Sequence, residues 1–91
     1  MREADLCRAI MRALEREGAC VIKTTGVNRG GTPDLLGCYQ GHAFALEVKL
    51  PGGSATLLQR RQIARWQDAG ARAGVVRGVK EALRIALDTG E

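Results

Sequence analysis

Residues 33–50 read PDLLGCYQGHAFALEVKL, two apolar runs joined at Gln40-Gly41, and this pattern limits the fold more than any other stretch. The runs 33–39 and 42–50 are expected to pair as a β-hairpin. Gln-Gly is a weaker turn signal than Asn-Gly, so the turn type stays open. Strand side chains alternate between faces. Phe44, Leu46, Val48 and Leu50 therefore share one face, and Ala43, Ala45, Glu47 and Lys49 the other. With Gln40-Gly41 as a two-residue loop, Tyr39 faces His42 and the numbers of opposed residues sum to 81. Asp34 then faces Glu47, their Cβ atoms about 4.5–5.5 Å apart. A three-residue loop or a bulge shifts the register by one and separates them.

Two ionised carboxylates about 5 Å apart repel by roughly 3 kcal/mol at an effective dielectric constant of 20. Lys49 offsets part of this. A divalent cation offsets more, since Mg²⁺ is commonly held by one or two protein carboxylates plus water and substrate phosphate. On geometry alone three readings stay open: a structural charge network at a strand end, a metal site, or another register. The small Ala43 and Ala45 are expected to admit the first helix on this face and to bring Glu3 towards the cluster.

The flanking segments supply the rest of an α/β domain of order αβββαβα spanning residues 1–91. Residues 2–17 have helical periodicity, with Leu6, Cys7, Ile10, Ala13 and Leu14 on one face, Glu3 aimed the same way, and Arg8, Arg12 and Arg16 opposite. Gly18 ends that helix. ACVIK (19–23) reads as a short strand, and TTGVNRGGTP (24–33) as a polar, Gly-rich connection. Lys23, Asn28 and Arg29 stand there where phosphates can be met; the alternative is a flexible crossing with no ligand. After PGGSA, residues 56–70 read as a helix with Gln59, Ile63, Trp66 and Gly70 on one face and Arg60, Arg61, Arg65 and Asp68 on the other. Residues 72–78 form another strand and 79–90 a closing helix.

Composition narrows the chemistry. His42 is the single histidine and is expected in a solvated turn, which excludes a histidine triad or a multi-histidine metal site within one chain. Cys7, Cys20 and Cys38 are odd in number with no close spacing, against a disulfide framework or a cysteine zinc site, and each is expected to be a small buried residue. No apolar run is long enough to span a bilayer, and the charged N-terminus is not built like a signal peptide. A soluble protein of the cytoplasm, bacterial or phage-infected, is therefore expected, with no membrane partner. Of 14 basic residues against 10 acidic, eleven are arginine, the type suited to bidentate phosphate contacts, which favours a polyanion partner.

Gly31, Pro33 and Asp34, followed by Glu47-Val48-Lys49, resemble the signature of the PD-(D/E)XK nucleases. GTPDLLG and ALEVK, then Thr56 and Gln59 before AGARAGVV, closely resemble its VRR-NUC (virus-type replication and repair nuclease) branch. The resemblance runs from Glu3 to the final helix. It implies a restriction-endonuclease-like αβββαβ core, a central mixed sheet flanked by helices. It also implies that Asp34 and Glu47 bind metal together with the Val48 carbonyl, and that Glu3 does so directly or through water. Lys49 then orients or activates the attacking water and steadies charge on phosphorus. Gln59 stands beside the active site, unless it only caps by hydrogen bonding. The implied activity is metal-dependent hydrolysis of DNA phosphodiester bonds, with Mg²⁺ as cofactor and Mn²⁺ able to substitute. The implied substrates are Holliday junctions or other branched DNA, cut by a homodimer. Arg8, Arg12, Arg16, Arg29, Arg60, Arg61 and Arg65 are candidates to hold the sugar-phosphate backbone. Two other classes compete: a non-catalytic nucleic-acid-binding or assembly module with the nuclease fold, and an unrelated α/β binding protein whose charge cluster is structural.

Overall fold

A computed structural model describes residues 1–25 and 29–88. The elements follow the expected order: α1 (Glu3–Arg16), β1 (Cys20–Lys23), β2 (Leu35–Tyr39), β3 (His42–Val48), α2 (Leu57–Asp68), β4 (Arg72–Val76) and α3 (Val79–Ala86). The four strands form one sheet in the order β1-β2-β3-β4. The first three are antiparallel neighbours. β4 runs parallel to β3, because α2 carries the chain back across the sheet between them.

The hairpin keeps the expected register. Tyr39 pairs with His42, and the pairing runs to Leu35 opposite Leu46. Gln40 and Gly41 have φ of 48° and 83°, both in the left-handed region. Two positive φ values are what a type I′ turn requires, and that turn matches the twist of the strands it joins. Glycine adopts such a φ at no steric cost, which Gln40 does not.

The main core lies between the sheet and the pair α1 and α3. Leu6, Cys7, Ile10 and Leu14 of α1 and Ala82 and Ala86 of α3 close on Val21, Leu35, Phe44, Leu46, Val48 and Val76. Gly37 is there for space: a Cβ would come within 2.3 Å of the Cys20 carbonyl oxygen and of Cζ of Phe44. On the other face α2 buries Ile63 over β3 and β4, where Ala45 is fully covered. This corrects one expectation. Ala45 is covered by α2, whereas α1 packs on the Phe44, Leu46 and Val48 side, because its Leu6, Ile10 and Leu14 stripe needs that larger apolar surface.

α2 does not extend over β1 and β2. Cys20 and Ile22 stand opposite Cys38 and Leu36 on that open face, and Ile22 is 59% exposed. The expected burial therefore holds for Cys7 and fails for Cys20 and Cys38, both exposed. Among the described residues no helix is long and apolar enough to cross a membrane.

Candidate active site

The chemistry gathers where β3 ends and β2 begins. β2 starts at Leu35, so Asp34 stands one residue before it, and two bonds fix it there. The Thr24 N–H donates to the Asp34 carbonyl at 3.0 Å. The Val48 N–H donates to Oδ2 of Asp34 at 2.8 Å. Asp34 thus joins the end of β3 through its side chain rather than through the ladder, and the register still carries it beside Glu47. Thr24 also donates its hydroxyl to the Pro33 carbonyl at 2.6 Å, tying the Gly-rich connection to this corner.

Glu47 is 2% exposed and is the one charged residue among the buried described side chains. Its Oε1 has no hydrogen-bond partner. Oε2 lies 3.9 Å from Nζ of Lys49, whose side chain is 15% exposed. Burial pushes the Glu47 pKa up to about 8. Asp34 adds to the rise by hydrogen bonding and by charge, Lys49 opposes it, and Glu3 adds a smaller push. A buried, unpartnered carboxylate oxygen is costly unless something satisfies it. That orphan oxygen beside a second carboxylate is a donor set a hard divalent cation fits.

Lys49 follows β3, where its N–H donates to the Val76 carbonyl at 3.0 Å. The turn beyond it is strapped from β4's end. Arg77 donates through Nε and an Nη to the Gly53 carbonyl at 3.0 and 2.9 Å, and its own N–H bonds Oε1 of Glu81 at 2.9 Å. Neither Thr24 nor Arg77 is signalled locally in the sequence, since each acts on a residue far along the chain.

The remaining candidates are distributed unevenly. Glu3 is exposed on the first turn of α1, and its charge is the smallest of the contributions that raise the Glu47 pKa. Among the described residues no three His, Cys, Asp or Glu side chains gather to hold a metal, so Glu3 does not complete a cage with Asp34 and Glu47. Val48 is buried and meets Asp34 through its N–H. Gln59 closes the capping box of α2: its Oε1 accepts from Thr56 N at 2.9 Å, and its N–H donates to the Thr56 hydroxyl at 3.1 Å.

Among the basic residues, Lys23 ends β1 in an exposed position. Arg29 lines a groove against α2, and Arg61 is exposed. Arg60 is turned back onto the Ala55 carbonyl at 2.7 Å. Asn28 lies outside the described residues. Arg8 pairs with Asp5, and Arg12 and Arg16 are exposed on α1. The sheet separates that stripe from Arg60, Arg61 and Arg65 on α2, so the two sets are not one surface.

No protein-family model and no curated protein matches the chain. Solved structures do. A structure described as a VRR_NUC domain has 26% identity and a TM-score of 0.79, with 96% of each chain covered. A VRR_NUC domain protein has 20% identity and a TM-score of 0.71, covering 93% of this chain and 84% of its own. Hjc of Archaeoglobus fulgidus, described as a Holliday junction resolvase from an archaeal hyperthermophile, has 20% identity and a TM-score of 0.67, covering 82% and 67%. With its αβββαβ core and mixed sheet between helices, this chain has the restriction-endonuclease-like fold of the VRR-NUC domains.

Proposed function

We propose that the protein is a metal-dependent, structure-selective DNA endonuclease that hydrolyses phosphodiester bonds in Holliday junctions or other branched DNA and acts as a homodimer. One observation carries the reading: the buried Glu47 Oε1 is left without a partner beside Asp34 and Lys49. A divalent cation, Mg²⁺ or Mn²⁺, held by Asp34 and Glu47 supplies Lewis acidity and charge neutralisation to the phosphodiester.

The residues divide the remaining work. The Val48 N–H holds one oxygen of the Asp34 carboxylate, Oδ2. Glu47 offers its carboxylate from a dry position, where electrostatic interactions are strongest. With its pKa raised to about 8 in the metal-free protein, Glu47 would have to give up its proton to hold a cation. Lys49 sets its ammonium at the same corner, suited to orienting a water and to balancing charge on phosphorus. Glu3 and the Val48 carbonyl are further ligand candidates, and Gln59 is assigned to the site's edge. Lys23, Asn28, Arg29, Arg60 and Arg61 are assigned to DNA. A two-fold pair of such sites suits a four-way junction. Hjc of Archaeoglobus fulgidus, similar in fold and described as a Holliday junction resolvase, is in keeping with that substrate class.

The second reading, a non-catalytic nucleic-acid-binding or assembly module, draws on two observations. No third acid gathers at the cluster among the described residues, and the Gln59 oxygen is occupied within α2. Incubation of the wild type and Asp34→Asn with Mg²⁺ or Mn²⁺ and junction, flap, single-stranded and duplex DNA decides between them. Cleavage by the wild type alone supports the endonuclease; DNA binding without cleavage of any substrate supports the module. Preference for flap or plain duplex by a monomer removes the junction assignment.

A further inference from the structure

Beside the acidic corner a groove of about 380 Å³ opens on the α2 side of the sheet, and none of the roles given to Asp34, Glu47 and Lys49 makes use of it. Leu36 is its floor, α2 supplies Gln62, Arg65 and Trp66 as one wall, and Arg29 and Thr32 of the Gly-rich connection form its lip. The volume falls in the usual range for small-ligand sites, roughly 300–1,000 Å³. It lies on the same face of the sheet as the candidate active site: Thr32 is two residues before Asp34, and Leu36 pairs with Ala45, on the face that Glu47 shares. Its lip is held close to α2, since a Cβ at Gly31 would stand 2.7 Å from Cγ of Leu58.

The lining is chemically specific. It joins the chain's single tryptophan, half-buried, to two guanidinium groups, and no acidic residue lines it among the described residues. An aromatic face beside arginines suits a base that stacks and a phosphate that pairs, the combination found in sites for single-stranded nucleic acid. We infer that this groove takes an unpaired nucleotide next to the scissile phosphate, its base stacked on Trp66 and its phosphate held by Arg29 and Arg65. The inference rests on the endonuclease reading for its position and deepens that reading: the preferred DNA would carry an unstacked or single-stranded nucleotide at the cut, as a flap or an opened branch point does and a fully paired junction does not. A duplex base, still stacked and paired, does not enter.

Because the chain has one tryptophan, its emission reports the groove alone. The 91-residue chain in chelator, titrated with a short single-stranded thymidylate oligomer, is expected to show saturable quenching that weakens with salt, and little with a blunt duplex of equal length. Followed by anisotropy of a labelled oligomer, Trp66→Ala is expected to weaken binding about 5- to 150-fold, the range for loss of one base–aromatic stack. Trp66→Phe should retain most of the affinity, and Arg65→Ala should lose affinity and salt dependence while remaining folded by circular dichroism. No quenching, equal quenching by duplex or by inorganic phosphate alone, or unchanged affinity in Trp66→Ala overturns the inference. Emission that shifts with protein concentration and ignores the oligomer assigns the groove to a second copy and also overturns it. The two readings fail separately. Cleavage with a silent Trp66 removes this inference and leaves the endonuclease, whereas quenching together with an Asp34→Asn variant that cleaves like wild type leaves the groove and removes the assigned active site.

Discussion

In the metal-free protein, Glu47→Gln should abolish a fall in stability that the wild type shows on going from acid to mildly alkaline pH. Glu47 is 2% exposed, and burial, reinforced by Asp34, raises its pKa from 4.5 to about 8. The folded state therefore binds this proton more tightly than the unfolded chain does. Between those two values the unfolded chain is ionised while the native carboxyl is protonated, so stability falls as pH rises. The contribution is complete below 4.5, drains through the window and is gone above about 8. Each pH unit removes about 1.4 kcal/mol, so the whole window removes on the order of 5 kcal/mol, as much as the entire stability of a marginal small domain. The other shifted groups act elsewhere: Asp5, lowered chiefly by the Arg2 N–H, titrates below 3.8, and Cys7, raised chiefly by burial, above 9.0. Glutamine keeps the shape and cannot ionise. Urea unfolding in chelator from about pH 5 to about pH 9 reads the effect as the midpoint. The wild-type midpoint should decline and that of Glu47→Gln should stay level, the two converging at the acid end. A wild-type midpoint that is flat or rises across the window, or a variant with the same decline, would refute the account of Glu47.

Further expectations come from other parts of the molecule. Gly37→Ala places a methyl 2.3 Å from a backbone oxygen and from the Phe44 ring, so it should cost about 3 kcal/mol or more by denaturant unfolding. Cys20 and Cys38 should react rapidly with a thiol reagent and Cys7 only on unfolding; glutathione disulfide should not close a Cys20–Cys38 bridge. The Thr24 to Asp34 bond, counted back by twos, makes Cys20–Cys38 a hydrogen-bonded pair, whose Cβ separation of about 5.5 Å exceeds disulfide reach. Arg77→Ala frees the Gly53 carbonyl and should cost about 1–2 kcal/mol while lowering cleavage through a looser Lys49, readable as reduced kcat with DNA affinity retained.

Much of this was legible because the hairpin is governed by local rules. Alternation put Glu47 and Lys49 on one face, and a two-residue turn at Gln40-Gly41 set the register that brings Asp34 to them. The turn type was not legible, since glutamine rarely adopts the φ of 48° it has here. The side on which α1 packs was not legible either: small residues at 43 and 45 suit close approach by any helix, and only the competition between the apolar stripes of α1 and α2 decides which arrives. Exposure of Cys20 and Cys38 depends on how far α2 reaches across the sheet, which no single segment encodes. The bonds that fix Asp34 and the turn after Lys49 join residues distant in sequence, so Thr24 and Arg77 gave no local sign. The same holds for the groove, whose Trp66 and Arg65 come from opposite edges of a helix face and whose Arg29 comes from a loop.

The central claim is that Asp34, Glu47 and Lys49 form a working hydrolytic site. Its most direct test is cleavage of a labelled four-way junction in Mn²⁺ by wild type, Asp34→Asn and Lys49→Ala, each shown to be folded and to bind the junction. Strand scission by the wild type, lost in both variants while binding persists, is the result expected. Equal scission by Asp34→Asn or Lys49→Ala, or a bound wild type that leaves junction, flap, single-stranded and duplex DNA all intact, would contradict it.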